Sequence, residues 1–125
     1  MGVSYEIMGD LVVLTARERV TDEDFRKAFE AVIADPRFQK GSKVLTYDLE
    51  SAYEPTTANP REAAATISSF MGHLAPRVAV VVSKEASIGL GRMIEKYCNE
   101  YGIEFCVFRD PNEAKEWLYP EKSRF

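Results

Sequence analysis

Between Arg77 and Asp110 the chain reads RVAVVVS, KEASIGLGRMIEKYCNEYG and IEFCVFRD, which together spell strand, helix, strand. From Val78 to Val82 the first stretch is apolar without alternation, the pattern of a strand covered on both faces in a parallel sheet. In the second, Gly91, Ile94, Cys98 and Tyr101 recur at three- and four-residue spacing and make one core-facing stripe. A glycine on that stripe would let the helix backbone approach the sheet closely. The three stretches make one βαβ unit, and the rest of the chain has to supply the sheet that this unit joins.

It has the signals to do so. Val3 to Ala16 reads as a hairpin, VSYEIM and LVVLTA around Gly9-Asp10, with Tyr5 and Ile7 on one face of a half-exposed edge strand. Thr21 caps a first helix whose opening turn holds Asp22, Glu23 and Asp24, with Val20 and Phe25 at the positions of a hydrophobic staple. Phe25, Ala28, Phe29 and Val32 form its buried face, Pro36 stops it, and KVLTYDL is the third strand. Asn59-Pro60-Arg61-Glu62 then has the composition of a capping box opening a second helix. Its inward face would run through Ala63, Ile67, Phe70, Met71 and Leu74, with Pro76 ending it before the fourth strand. Asp110-Pro111-Asn112-Glu113 repeats the start signal for a short last helix, with Ala114, Trp117 and Leu118 inward. Phe29 and Trp117 are thus expected core positions, each worth about 3–5 kcal/mol on truncation to Ala.

The order predicted is β-β-α-β-α-β-α-β-α: an α/β fold with a five-stranded mixed sheet and four helices. Strands two to five run parallel through right-handed crossovers, and strand one pairs antiparallel. A chain of 125 residues supports one such domain, 1–120, with a polar tail over 121–125.

Composition narrows the partners. A net charge of −4 with scattered basic residues argues against nucleic acid. No apolar run approaches the roughly 20 residues of a membrane span, and no signal pattern opens the chain, so a cytoplasmic location is expected. There Cys98 and Cys106, which lack a CxxC-like spacing, would be reduced and serve as small hydrophobes. With one histidine and two distant cysteines, no metal or other cofactor is expected. Gly89-Leu90-Gly91 lacks the third glycine of a dinucleotide fingerprint, and no GxxxxGK[ST] or GxSxG occurs. No catalytic residue is assigned.

In open α/β sheets ligands gather beyond the carboxyl ends of the strands. Those ends hold Glu18 and Arg19, Asp48 with the loop that follows it, Ser83 and Lys84, then Arg109 and Asp110. Polar residues at strand ends are also what any α/β protein shows where its strands meet water. The candidate binding residues are Asp48, Ser51, Tyr53, Thr56, Thr57, Ser83, Lys84 and Arg109. A helix-sheet interface this rich in Ala and Val should close any preformed cavity of roughly 300 Å³, the lower bound for a ligand pocket.

The segment RVAVVVSKEASIGLGRMIEKYCNEYGIEFCVFRDPNEAKEWL resembles the second half of the SpoIIAA-like family, small and mostly uncharacterised bacterial proteins related to the STAS domain. A basic residue before an apolar strand, an Arg-Met helix with small residues, a strand ending VFRD and a capped EA-x-x-WL helix carry the resemblance. It implies a fold shared with STAS anti-sigma-factor antagonists and with lipid-carrying Sec14 (CRAL-TRIO) domains. It also implies a non-enzymatic regulatory domain binding a protein partner; the alternative is a carrier or sensor of a small apolar ligand, and a hydrolase ranks third. In the STAS switch a phosphorylatable Ser follows a strand-ending Asp by about nine residues, which here selects Thr57 after Asp48. This chain has Pro55-Thr56-Thr57-Ala58 where STAS proteins usually carry Asp-Ser-Ser/Ala-Gly, so capping and turn roles also suit those threonines. A homodimer is expected from the hairpin edge and from Tyr5, Tyr53 and Phe125.

Overall fold

Three of the four helices start where a local signal places them. In the computed structural model, which describes residues 3–17, 20–48, 59–83 and 85–120, Thr21 Oγ1 accepts from the Asp24 amide at 3.2 Å. Asp24 Oδ2 accepts from the Thr21 amide at 2.9 Å, completing the box. Asn59 Oδ1 accepts from the amides of Arg61 and Glu62 at 3.0 and 3.2 Å, the asparagine half of the expected box. Asp110 Oδ1 accepts from the Asn112 amide at 2.9 Å. The resulting order is β1 Val3–Met8, β2 Leu11–Ala16, α1 Asp22–Ala34, β3 Ser42–Asp48, α2 Pro60–Ser69, β4 Leu74–Val82, α3 Glu85–Glu100, β5 Glu104–Phe108 and α4 Pro111–Leu118. This is the β-β-α-β-α-β-α-β-α order read from the sequence.

The five strands lie in the order β1-β2-β3-β4-β5, β1 antiparallel to β2 and the rest parallel. Because β2, β3, β4 and β5 advance one place at a time in one direction, right-handed crossovers put α1, α2 and α3 on the same face. The opposite face is left to α4, which packs on β3, β4 and β5. The strand period of two then sorts the core. Val12, Leu14, Val44 and Val78 face the three helices, whereas Leu45, Ala79 and Val81 face Ala114 and Leu118 of α4. Covered on both sides, β4 has no need to alternate.

Two reversals complete the layers. Gly9, at φ 65°, turns the hairpin so that Met8 pairs with Leu11. Gly102, at φ 78°, ends α3 in a Schellman motif: the Ile103 amide donates to Cys98 O at 3.0 Å and the Gly102 amide to Asn99 O at 3.1 Å. Here the stripe read from the sequence needs correction. Tyr101 falls in this turn and is 52% exposed, and Ile103, 2% exposed, takes the inward place instead.

The end of α2 differs as well. The helix stops at Ser69, so Leu74 belongs to β4, and Pro76 lies inside that strand rather than before it. Pro76 is tolerated because the β3–β4 register shifts between the pairs Ser42↔Leu74 and Val44↔Val78, and an irregularity of this kind does not need the amide proline lacks. Trp117 is half-buried rather than enclosed. Tyr5 OH donates to Asp35 Oδ2 at 2.9 Å, tying β1 to the end of α1. Arg37, with bonds of 3.0 and 2.8 Å, holds the Asp35 carboxyl well below the usual range.

Gly91 does what its place on the stripe implied. A Cβ there would lie 2.5 Å from Val107 Cγ2, so α3 sits on β5 at a distance that only glycine allows. Valine is stiff at χ1 and cannot swing clear at no cost. Overpacking of about 1–3 kcal/mol set against the roughly 1 kcal/mol that Ala gains in a helix leaves a net loss for Gly91→Ala of up to about 2 kcal/mol in urea unfolding. Gly91→Ala/Val107→Ala should lose less than the two single changes summed, by about 0.5 kcal/mol or more. Strict additivity would show that the contact is not tight.

Candidate functional site

Parallel strands end on one side, and this gathers the polar residues picked from the sequence. Asp48 is the last residue of β3 and pairs with Val82 near the end of β4, Ser83 follows β4, and Arg109 follows β5. Arg109 forms an ion pair with Glu85 in the first turn of α3. Both partners are exposed, so the pair orients the rim more than it stabilises it. Asp48, Ser83 and Arg109 thus share one edge of the molecule. Ser51, Tyr53, Thr56, Thr57 and Lys84, with the proposed phosphoacceptor among them, lie outside the described residues, as do Glu18, Arg19 and 121–125.

Beneath this rim, between the sheet and α1, α2 and α3, lies an apolar pocket of about 90 Å³. Its origin is local. The buried residues of α2 are small, Ala63, Ala64 and Thr66, with Ile67 beside them, and the sheet below offers Thr46 and Val80. Small against small leaves space, which Phe25 and Phe29 of α1 and Leu90 of α3 wall in. Asp22, Asp48 and Ser87 are the polar residues on its rim side. Burial, reinforced by Glu62, raises the Asp22 carboxyl above its usual range.

This pocket is smaller than the roughly 300 Å³ considered from the sequence, where no smaller one was foreseen. Phe70 stacks on Phe29 with centroids 5.2 Å apart, and Met93 is 52% exposed. A detectable signal did exist: Thr46 and Thr66 stand at inward positions of otherwise apolar patterns. Other groups with chemical potential lie elsewhere. His73 precedes β4, at the amino side of the parallel strands and so opposite the rim. Cys98 is fully buried, and burial, then Glu95, pushes its thiol up to about 11, which leaves it un-ionised at neutral pH. Among the described residues no group of three His, Cys, Asp or Glu side chains could hold a metal, and no helix is long and apolar enough to cross a membrane.

A mixed sheet with three helices on one face, one on the other and a polar rim over its carboxyl end defines the class of α/β domain to which this chain belongs. The chain belongs to the SpoIIAA-like family, whose model matches residues 11–119. Its fold is similar to that of an uncharacterised DUF3478-family protein with a SpoIIAA-like fold from Shewanella loihica PV-4. The two are 20% identical, with a TM-score of 0.59 over 93% of this chain and 91% of that one. No curated protein matches the chain.

Proposed function

We propose that this chain is a regulatory interaction domain that binds a protein partner through the carboxyl end of its sheet. The observation that supports this is the convergence of Asp48, Ser83 and the Arg109–Glu85 pair at one edge, and residues 49–58 follow Asp48 in sequence. Charged and hydroxyl side chains around an apolar opening are the make-up of an interface rim around its centre. Tyr53 in that loop is the proposed anchor, since tyrosine suits a contact both apolar and hydrogen-bonded. A homodimer and a cytoplasmic setting belong to the same proposal; the open edge of β1, where Met8 is 57% exposed, is where a second copy would pair.

Native mass spectrometry of the protein purified from its own cells should show a stoichiometric protein partner. Tyr53→Ala should then reduce its capture by roughly tenfold, about 1.4 kcal/mol, with the far-UV circular dichroism unchanged. A full-strength complex with Tyr53→Ala would remove the anchor. The absence of any partner would remove the reading.

A second reading, that the domain carries or senses a small ligand, is favoured by one specific feature. Thr46 and Thr66 line the pocket with hydroxyls that hydrophobic walls do not satisfy. On this reading the ligand lies below the rim and the partner above it.

A further inference from the structure

Thr46 and Thr66 are 6% and 7% exposed, and both line the pocket, one from the sheet and one from α2. Serines of the same helix satisfy themselves: Ser68 Oγ donates to Ala65 O at 2.9 Å and Ser69 Oγ to Thr66 O at 2.6 Å. Neither threonine hydroxyl has such a bond among the described residues. Among those residues no fully enclosed side-chain oxygen or nitrogen goes without a partner, so these two hydroxyls open onto the pocket space. A hydroxyl that opens onto a small apolar space can bond only to what enters that space, and two on the walls of one cavity suit a shared partner.

Size and charge restrict what that partner is. A dry cavity of about 150 Å³ accepts benzene, so a pocket of about 90 Å³ accepts roughly three to five heavy atoms. The walls Phe25, Phe29, Val80 and Leu90 require most of those atoms to be carbon. Asp22 and Asp48 are the ionisable side chains among the described lining residues, and both are acidic. An anion would lose its hydration against these apolar walls, and no cation is among the described lining residues to receive it. The shape therefore disfavours carboxylates and phosphates.

We infer that the pocket binds a small neutral molecule, a short-chain ketone, aldehyde or alcohol, whose oxygen is held by the hydroxyls of Thr46 and Thr66. This rests on the second reading above and names its ligand class. Partner binding at the rim does not depend on it.

The test uses the full chain, titrated with butan-2-one, butan-1-ol and butyrate and followed by amide and methyl NMR shifts. Butan-2-one and butan-1-ol should saturate, with shifts confined to the pocket residues, and butyrate should bind at least tenfold more weakly. Thr46→Val and Thr66→Val keep the volume and remove the hydroxyl. Either should weaken the neutral ligands about fivefold or more while the spectrum stays that of the folded chain. Two variants from different elements guard against one that fails to fold. Butyrate binding as tightly as butan-2-one, or valine variants binding undiminished, would overturn this ligand class while leaving a ligand site. Saturation by none of the three, with ordered water only in the pocket, would overturn both.

Discussion

Phe29→Ala should lower the free energy of unfolding by about 3–5 kcal/mol, the largest effect expected of any single truncation here. Phe29 is 3% exposed, stacks on Phe70 at an interplanar angle of 25°, and belongs to the core between the sheet and the three helices. The loss has two parts, the ring's transfer from water and the cavity left behind. A cavity costs least where its neighbours can collapse into it. Here they cannot, because Phe29 already walls the 90 Å³ pocket, and the vacated space would merge with it. The result belongs near the upper end of the range. Urea denaturation with an unchanged m-value reads it directly. A loss below about 1 kcal/mol would mean that α1 turns a different face to the sheet.

How much of this was legible in the chain depended on how local the cause was. Thr21, Asn59 and Asp110 announced their helices because a cap is decided within three or four residues, and each forms the bonds its residue type implies. The parallel run of strands two to five followed from the helices between them, although their spatial order did not. The gathering of Asp48, Ser83 and Arg109 at one edge followed too, since parallel strands all end on the same side. Features set by packing between distant elements were harder to read. Leu74 continues the apolar spacing of α2, yet it pairs with Ser42 across a register shift that the sequence does not display. Tyr101 continues the spacing of α3, but Gly102 takes a left-handed conformation one residue later and the stripe passes to Ile103.

The pocket illustrates the same limit at the site. Ala63, Ala64 and Thr66 read as a favourable helix, and Thr46 as a permissible strand residue. The space between them exists only because small residues on α2 meet small residues on β3 and β4, which is a property of pairs. Gly91 could be interpreted because a glycine on a core-facing stripe has few other uses. Two threonines have many. Their meaning emerged once the fold placed them on opposite walls of one void.

Leu118→Ala should cost about 2–5 kcal/mol, and it probes the other face of the sheet. That face is covered by one short helix, the eight residues of α4. Leu118 and Ala114, both at 0% exposure, meet Leu45, Ala79 and Val81 there. The half-buried Trp117 is held differently, with the Arg77 guanidinium 4.6 Å above its ring and Arg77 Nη1 donating to its carbonyl at 2.6 Å. Its truncation should therefore cost less than the 3–5 kcal/mol of an enclosed aromatic. Farther along, Tyr119 OH donates to Asp10 Oδ1 at 2.8 Å and fastens the end of α4 to the hairpin turn. These polar ties hold the helix in place, while Leu118 and Ala114 are its fully buried contacts with the sheet, flanked by the partly buried Trp117 and Tyr119. Trp117 is the single tryptophan, so its fluorescence reports on α4 while circular dichroism reports on the whole. If Leu118 anchors α4 to one cooperative core, both signals should move together to lower urea in Leu118→Ala. A loss below about 1 kcal/mol would show that the polar ties, not the leucine, keep α4 on the sheet. The pocket on the opposite face gives a further separation: Leu118→Ala should leave its occupancy by butan-2-one unchanged, whereas Phe29→Ala, by enlarging it, should not.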